Sequence, residues 1–277
     1  MTAGSVPADA LSGRLGRAAV GAYSSVVLAF LLLPIAVVAP MSLSSQPFLE
    51  FPPPGWTLRW YYDLGEQPRW LIATVNSLCI AAPTMLLSVA LGTLAALAVG
   101  RIGRRWARPL TLLMLAPMML PHVIIAIGLY PTLVDLHLQD SYAAVVIGHT
   151  VIGVPLVFLT VSASFAAVPP SLELAARTLG ADVWQAFRRV TFPMIRVGVA
   201  SGALLAFATS FDELMLALFL TGPGTETLPR LIWDQLSFAL TPTLAAVATL
   251  ILALSVVLLG TATAIGAAGG RRTLRAR

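Results

Sequence analysis

Two adjacent acidic residues, Asp212 and Glu213, stand inside a long apolar run of the sequence. Ionisable side chains are costly in apolar surroundings and usually face a cavity or a pathway for a charged solute. One hypothesis is that the pair, together with Phe211 before it, lines a path for a cationic substrate. The alternative is that Asp212 caps a break in a helix while Glu213 extends to the membrane interface.

Other polar side chains in apolar runs are candidates for the same path. His122 follows Pro121, His149 lies within an apolar run, and Asn76 stands next to Ser77. Each histidine is either packed and hydrogen-bonded or a ligand of the substrate, and Asn76 either hydrogen-bonds between helices or lines the path. Asn76 and His122 join the three residues above in the candidate substrate pathway.

The segment 169–196 is the longest polar, helix-forming stretch in the chain, and it contains four arginines. Ser171 is expected to cap a first helix, with Glu173 in its first turn and paired with Arg177 four residues later. The expected apolar face of this helix comprises Leu172, Ala175, Ala176 and Leu179. Leu174 projects away from that face and is either a harmless exposed leucine or part of a docking surface.

A turn and a second helix are expected after this first helix. Gly180 supplies the left-handed residue that ends the first helix. Asp182 is placed to cap the second helix, and Pro193 is expected to end it. The apolar side of the second helix is expected to consist of Val183, Trp184, Phe187 and Val190. The pattern therefore predicts a helix–turn–helix.

Composition defines the class of protein that must position these residues. Of the 277 residues, 58% are hydrophobic and only 10% are charged, whereas a soluble domain averages about 25% charged residues. The mean hydropathy of +0.87 agrees with an all-α integral membrane protein. Six apolar runs meet the requirement of about 20 residues for a transmembrane helix: Val20–Met41, Trp70–Val99, Leu110–Leu133, Tyr142–Val168, Val197–Leu220 and Leu244–Ala264.

The distribution of arginine predicts the orientation. Arg59, Arg69 and Arg230 lie in loops on one side, and the other fourteen of the 17 basic residues lie in the two tails and two loops of the opposite side. The positive-inside rule places both termini and the segment 169–196 in the cytoplasm. The expected divisions are a mobile tail at 1–19, a transmembrane domain at 20–268 and a basic tail at 269–277. Cleavage of the first apolar run as a signal remains an alternative, although it exceeds the usual 7–15-residue signal core.

Interruptions of the spans and missing motifs limit the function further. Prolines inside the runs favour a bundle around a pathway, because neighbouring helices must satisfy the freed carbonyls. The chain has no lysine, so it has no phosphate-binding GxxxxGK[ST] loop. It shows no paired His/Cys metal spacing, and its arginines flank apolar runs rather than form a nucleic-acid-binding surface. We therefore expect a non-catalytic membrane subunit without a cofactor of its own.

The stretch ELAARTLGADVWQAFRRVTFP resembles the cytoplasmic coupling motif of permease subunits of ABC importers. That motif reads EAA, three residues, Gly, nine residues, Ile, one residue, Leu-Pro. Ala175 and Ala176 precede Gly180 by the motif's spacing. Leu174 stands where the motif has glutamate, and the glutamate of this chain, Glu173, comes one residue earlier.

The resemblance assigns coupling to a cytoplasmic ATPase to nine residues: Glu173, Leu174, Ala175, Ala176, Arg177, Gly180, Val190, Phe192 and Pro193. The stretches NSLCIAAPTMLLSVALGTLAALAVGR (76–101), SFDELMLALFLTGPGTETLPRLIW (210–233) and TPTLAAVATL (241–250) are similar to the spermidine/putrescine-type branch of the same family.

The resemblance implies a six-span subunit of the bacterial inner membrane. Its implied partners are a homologous permease, two ATPase subunits that bind ATP and Mg²⁺, and an extracytoplasmic substrate-binding protein. Polyamines are the implied substrates. Opines, phosphonates, iron or sugars are alternatives, because related permeases carry them.

Two functions from other classes remain open at this point. A proton-coupled secondary transporter would use Asp212 and Glu213 as its proton site. A membrane scaffold that does not transport would use 169–196 only to tether a partner.

Overall fold

The computed structural model describes residues 8–237 and 241–275, and the regular structure in this part of the chain is helical. These residues divide into two compact units, one reaching Leu64 and including 241–251, the other comprising 65–237 and 252–275. The α-helices in chain order are α1 (Ala8–Met41), α2 (Arg59–Glu66), α3 (Pro68–Arg101), α4 (Arg104–Met119), α5 (His122–Asp135), α6 (Tyr142–Ala166), α7 (Pro170–Thr178), α8 (Val183–Ala186), α9 (Phe192–Phe211), α10 (Met215–Leu220), α11 (Leu228–Leu236) and α12 (Pro242–Arg275).

In the first unit, α1 begins at Ala8, so residues 8–19 of the predicted tail are helical. Residues 1–7 and 276–277, at the ends of the two predicted tails, lie outside the described residues. The loop after α1 is held by an isolated antiparallel bridge between Ser44 and Trp56. A 2.7 Å hydrogen bond between the Ser42 and Tyr61 hydroxyls also fixes this loop.

Within the described residues, four helical stretches are long and apolar enough to cross a membrane: Val20–Met41, Pro68–Arg101, Tyr142–Ala166 and Val183–Phe211. The pair Arg105–Met119 and His122–Asp135 supplies a fifth if the two bent helices are counted as one span. Pro242–Val257, in the region of the sixth predicted span, is the apolar first part of α12 and is shorter than these four stretches. Four or five spans are therefore supported in this part of the chain.

The third predicted span is broken rather than continuous. Its two helices, α4 and α5, meet at an angle of 101°. Leu120 and Pro121 between them have extended backbones, as expected because a proline disfavours helical geometry at the preceding residue.

The fifth predicted span also breaks, at a place without proline. Helix α9 ends at Phe211, Asp212 occupies its C-cap, and α10 starts at Met215. The Glu213 carboxylate accepts a 3.0 Å hydrogen bond from the backbone N–H of Leu216. This bond satisfies a donor that a new helix start would otherwise leave unpaired.

Helices α3, α6 and α9 are the most extensively packed helices of the larger unit, and α5 and α10 add buried apolar side chains to the core. Helices α3 and α6 run in the same direction, because contacts pair their starts and their ends. Tyr142 at the start of α6 donates a 2.6 Å hydrogen bond to Asn76 near the start of α3. A Cβ added at Gly100, near the end of α3, would lie 2.5 Å from the Phe165 ring near the end of α6.

Glycine lets these helices come into close backbone contact. A Cβ added at Gly92 of α3 would lie 2.8 Å from the Cβ of Val157 and 2.9 Å from the Val154 carbonyl oxygen, both in α6. A Cβ at Gly202 of α9 would lie 3.0 Å from the Val157 Cα. Small residues at helix contacts are typical of membrane bundles, where close packing replaces the hydrophobic effect.

Candidate functional site

The predicted helix–turn–helix is present, with a different start. Helix α7 begins at Pro170 with Pro169 at its N-cap, so the expectation that Ser171 caps it is wrong. Proline is favoured at the first helical position, because its ring presets the helical φ angle and its missing N–H is not needed there. Ser171 therefore lies one residue inside the first turn.

The turn between the two helices follows the predicted chemistry. Gly180 has a φ of +90°, and the backbone N–H of Ala181 donates to the Ala176 carbonyl at 3.1 Å while that of Gly180 donates to Arg177 at 3.0 Å. This pair of bonds is the Schellman arrangement that ends helices at a left-handed residue. The Asp182 carboxylate then accepts a 2.7 Å bond from the Gln185 N–H, which confirms its predicted capping role.

The second helix does not end at Pro193 as the sequence suggested. Helix α8 passes into a π turn at Phe187–Thr191, which leads directly into α9. Pro193 lies in the first turn of α9, and the N–H of Phe192 bonds to the carbonyl of Phe187 five residues back. A proline ring crowds the carbonyl four residues before it, and a widened π turn relieves that crowding.

The apolar face predicted for the first helix is only partly buried. Its two leucines, Leu172 and Leu179, are 42% and 89% exposed, and Leu174, which is predicted to project away from that face, is 64% exposed. The half-buried residues of α7 are Glu173 and Ala176. The face turned towards the rest of the chain is therefore the one that contains Glu173, and the leucines project from the helix–turn–helix.

The remaining predicted coupling residues lie in the same compact segment. In the second helix the buried side chain is Ala186, whereas Val183 and Trp184 are exposed. Exposed coupling positions are Ala175, Arg177, Phe192 and Pro193, and Val190 is half-buried. The Phe187 ring packs against Trp184 at 5.6 Å and Phe192 at 5.9 Å between centroids.

Sequence reasoning missed Arg101, the last residue of α3. The predicted pairing of Glu173 with Arg177 is replaced by a salt bridge to Arg101, with a nitrogen–oxygen distance of 3.0 Å. A cavity of about 760 Å³ lies beside this salt bridge, and α3, α4, α6 and α7 all contribute to its wall. The available signal was an arginine that ends a long apolar run, which sequence reasoning used only for orientation.

A second group of functional candidates lies where two helices break. His122 is the first residue of α5, and its Nδ1 atom lies 2.8 Å from a carboxylate oxygen of Glu213. Glu213 is only 7% exposed, so it does not extend to the interface as one hypothesis proposed. Asp212 next to it is exposed, and Phe211 is buried with its ring stacked on Phe207 at 6.1 Å.

His149 is a packed histidine, which is the first of its two alternatives. It is fully buried in α6, and its Nδ1 atom lies 2.8 Å from the Ser210 hydroxyl of α9. Its Nε2 atom and the Thr84 hydroxyl of α3 have no hydrogen-bond partner among the described residues. His149 and Ser210 thus form a buried polar contact between α6 and α9, and Thr84 is a buried polar residue of α3.

Asn76 contacts a different set of residues. Its amide nitrogen donates to the Glu226 carbonyl at 2.9 Å and to the Gly224 carbonyl at 3.3 Å. The Glu226 carboxylate accepts two hydrogen bonds from Arg69, at 2.8 and 3.0 Å. The loop between α10 and α11 is therefore fastened to the start of α3.

The chemistry of these groups is that of binding and mechanical transmission. Within the described residues, no group of three or more His, Cys, Asp or Glu side chains is placed to hold a metal ion. One end of the core carries an exposed apolar helix–turn–helix, and the region of the helix breaks carries a carboxylate–imidazole pair. These features suit a membrane protein that responds to a partner and contacts a charged solute.

Comparison with known proteins agrees with this description. Residues 88–267 match the family model described as binding-protein-dependent transport system inner membrane component. The chain is 34% identical over 205 residues to the putrescine transport system permease protein PotI of Escherichia coli (strain K12), covering 72% of this chain and 73% of that protein. It is 28% identical over 245 residues to the spermidine/putrescine transport system permease protein PotC of the same strain, covering 88% and 92%.

A solved structure shows the same fold. A chain of the bacterial alginate ABC transporter, in complex with a periplasmic protein bound to an alginate pentasaccharide, superposes with a TM-score of 0.70. The sequence identity is 16%, and the match covers 92% of this chain and 94% of that chain.

The fold and the helix–turn–helix together define a permease subunit of an ABC importer. The chain belongs to the family of binding-protein-dependent transport system inner membrane components. Proteins of this family are transport permeases rather than enzymes, which favours the importer hypothesis over a secondary transporter or a scaffold.

Proposed function

We propose that this permease subunit imports polyamines such as putrescine and spermidine across the bacterial inner membrane. The proposal includes six spans, both termini in the cytoplasm, and a cytoplasmic segment 169–196 that docks on an ATPase. It also includes a homologous permease, two ATPase subunits and an extracytoplasmic binding protein as partners.

One observation carries the docking proposal: Leu174 and Leu179 are 64% and 89% exposed on a well-formed helix–turn–helix, and Leu172 is 42% exposed. Exposed leucines clustered on a short rigid element are costly in water and are typical of an interface. A hydrophobic groove on the ATPase would cover them, as in other cases where a helix binds a groove. Leu174 then makes an apolar contact at the position where the family motif has glutamate.

The substrate proposal is supported by the relatives and by the acids at the helix break. PotI and PotC are named for putrescine and spermidine, whose ammonium groups require anionic or carbonyl partners. Asp212 is exposed, and Glu213 lies behind it in contact with His122. An exposed carboxylate next to a buried one provides two acceptors for ammonium groups along a path.

The experiment is purification of the assembled transporter with its ATPase subunits, followed by uptake of radiolabelled putrescine into proteoliposomes loaded with ATP. We expect Leu174→Asp to reduce both ATPase copurification and uptake. Leu136→Asp is the matched control, because Leu136 is 60% exposed but lies after α5, outside 169–196. Full uptake by the Leu174→Asp transporter would refute docking through this face.

The substrate is tested in the same preparation. We expect putrescine or spermidine, with the binding protein present, to stimulate ATP hydrolysis and to be accumulated. Failure of both amines to do so, in a complex that hydrolyses ATP when another solute is supplied, would refute the polyamine proposal and leave the coupling proposal standing.

A further inference from the structure

The first residue pair of interest joins the end of α3 to the start of α7. Arg101 is the last residue of α3, and one of its terminal nitrogens lies 3.0 Å from each carboxylate oxygen of Glu173. Glu173 lies in the first turn of α7. The pair therefore connects a long core helix directly to the helix that projects the exposed leucines.

Two further elements meet at the same pair. The Arg101 guanidinium lies 5.8 Å from the centre of the Phe165 ring of α6, and that ring also packs against Gly100. The hydroxyl of Thr191, a fully buried residue of the π turn, lies 3.4 Å from a Glu173 carboxylate oxygen and can donate to it. The end of α3 and the π turn thus meet at the Glu173 side chain, and the end of α6 contacts its partner Arg101.

The surroundings of Arg101 and Glu173 restrain this pair more than an ordinary surface ion pair is restrained. Exposed ion pairs contribute little, because two long side chains must be held in one arrangement in water. Here Glu173 is half-buried, and the arginine is held against an aromatic ring, which fixes its orientation. The salt bridge of Glu173 is with Arg101 and not with Arg177, its neighbour on the helix. Its carboxylate therefore binds to the core helices and not to the surface of α7.

We propose that Arg101 and Glu173 form a joint that makes the coupling helix α7 move together with α3. Glu173 then acts as a positioning residue inside the chain, while the exposed leucines make the contact with the ATPase. This inference rests on the proposed coupling function. Within the segment, the exposed leucines would bind the ATPase and the salt bridge of Glu173 would hold α7 against α3.

The test measures whether α3 and the coupling segment move as one body. Cys79 is the single cysteine of the chain and is exposed on α3, and Ser171 is exposed in the first turn of α7, outside the leucines proposed to contact the ATPase. Spin labels on Cys79 and on Ser171→Cys are read by pulsed electron spin resonance in the full transporter, assembled with cysteine-free partner subunits. Cys79 lies about 33 Å from Arg101 along the helix, which is within the range of the method.

The parent and an Arg101→Ala variant are compared without nucleotide and after trapping with ATP and vanadate. We expect one unchanged distance distribution in the parent and a shifted or broader distribution in the trapped variant. Binding-protein-stimulated ATP hydrolysis should fall roughly fivefold or more in the variant. The Arg101→Glu, Glu173→Arg double variant should restore both measurements, whereas Arg105→Ala, which removes an arginine lying over Trp106, should match the parent.

Two results would refute the inference that Arg101 and Glu173 make α7 move together with α3. One is an Arg101→Ala transporter whose distances and ATP hydrolysis equal those of the parent. The other is loss of ATPase copurification in Glu173→Gln with normal binding in Arg101→Ala, because Glu173 would then contact the ATPase itself. Absence of ATPase subunits from the parent complex would instead refute the proposed coupling function, and the joint with it.

Discussion

The Nδ1 atom of His122 lies 2.8 Å from the Glu213 carboxylate, and this contact ties together the breaks of two different helices. His122 starts α5 after a 101° bend, and Glu213 precedes α10 and accepts a hydrogen bond from its first turn. Broken helices are tolerated at membrane depth where they line a cavity or are buried in protein. The two breaks therefore meet at His122 and Glu213, where the proposed contact with a charged solute can be tested.

Glu213→Gln should remove the negative charge of this side chain while keeping its hydrogen bond to the helix. The amide oxygen can still accept from the Leu216 N–H, so the assembled transporter should form normally. Loss of a charge-assisted contact to an ammonium group, about 1.5–3 kcal/mol, should raise the apparent KM for putrescine roughly tenfold or more. Uptake kinetics in proteoliposomes measure this change.

Asp135→Asn is the control for Glu213→Gln, because Asp135 is an exposed acid at the end of α5. Its kinetics should equal those of the parent. Unchanged kinetics in Glu213→Gln as well would assign the carboxylate to helix capping alone.

Gly180 provides a prediction that depends on backbone conformation and not on space. Its φ is +90°, and an added Cβ would meet nothing within 4 Å. A branched side chain should therefore cost about 1–2 kcal/mol solely through the left-handed backbone, and Gly180→Val should lower uptake while membrane insertion stays normal.

Gly180→Asn should retain most of the uptake, because asparagine tolerates the left-handed region. Gly65→Val is a second control, since Gly65 lies inside α2, has open space around it and has no left-handed φ. Equal uptake by the valine and asparagine variants at position 180 would contradict a conformational role.

The helix–turn–helix was predictable because its signals are local. Gly180 and Asp182 act through hydrogen bonds within five residues of the chain, and a sequence shows such spacings directly. The inward face of α7 was not predictable, because burial depends on residues far away in the chain. Arg101 lies 72 positions before Glu173, so no local spacing in the sequence indicates their salt bridge.

A larger side chain at Gly92 should force α3 and α6 apart and destabilise the subunit. An added methyl group would lie 2.9 Å from the Val154 carbonyl oxygen and 3.0 Å from the Phe158 nitrogen, and backbone atoms cannot move aside alone. Gly92→Ala should therefore destabilise the subunit by about 1–3 kcal/mol, measured as a lower thermal unfolding midpoint in detergent.

Gly128→Ala in α5 is the matched control for this substitution, because nothing lies within 4 Å of the added methyl group. It should leave the midpoint unchanged or raise it slightly, since alanine favours the helix. A Gly92→Ala subunit as stable as the Gly128→Ala subunit would show that α3 and α6 are not in close contact.

Local sequence determines the limits of some membrane spans, whereas distant residues determine where others break. Long apolar runs identify α3 and α6 almost to the residue, because length and hydropathy suffice. Proline marked the break at Pro121, but the break after Phe211 has no such marker. It depends on Glu213 finding both a helix N–H and the His122 imidazole, and the second of these partners comes from a distant part of the sequence.

Removal of the Ser210 hydroxyl and removal of the Thr84 hydroxyl, both buried in the core, are expected to have opposite effects on stability. Ser210 is the partner of the His149 Nδ1 atom at 2.8 Å, so Ser210→Ala leaves a buried imidazole nitrogen unpaired and should cost about 1–2 kcal/mol. The Thr84 hydroxyl is buried without a hydrogen-bond partner among the described residues. Thr84→Val keeps the shape and removes that hydroxyl, so it should be neutral or slightly stabilising. Thermal unfolding of the two variants in one detergent decides the matter, and a Thr84→Val subunit less stable than the Ser210→Ala subunit would show that Thr84 holds the stronger hydrogen bond.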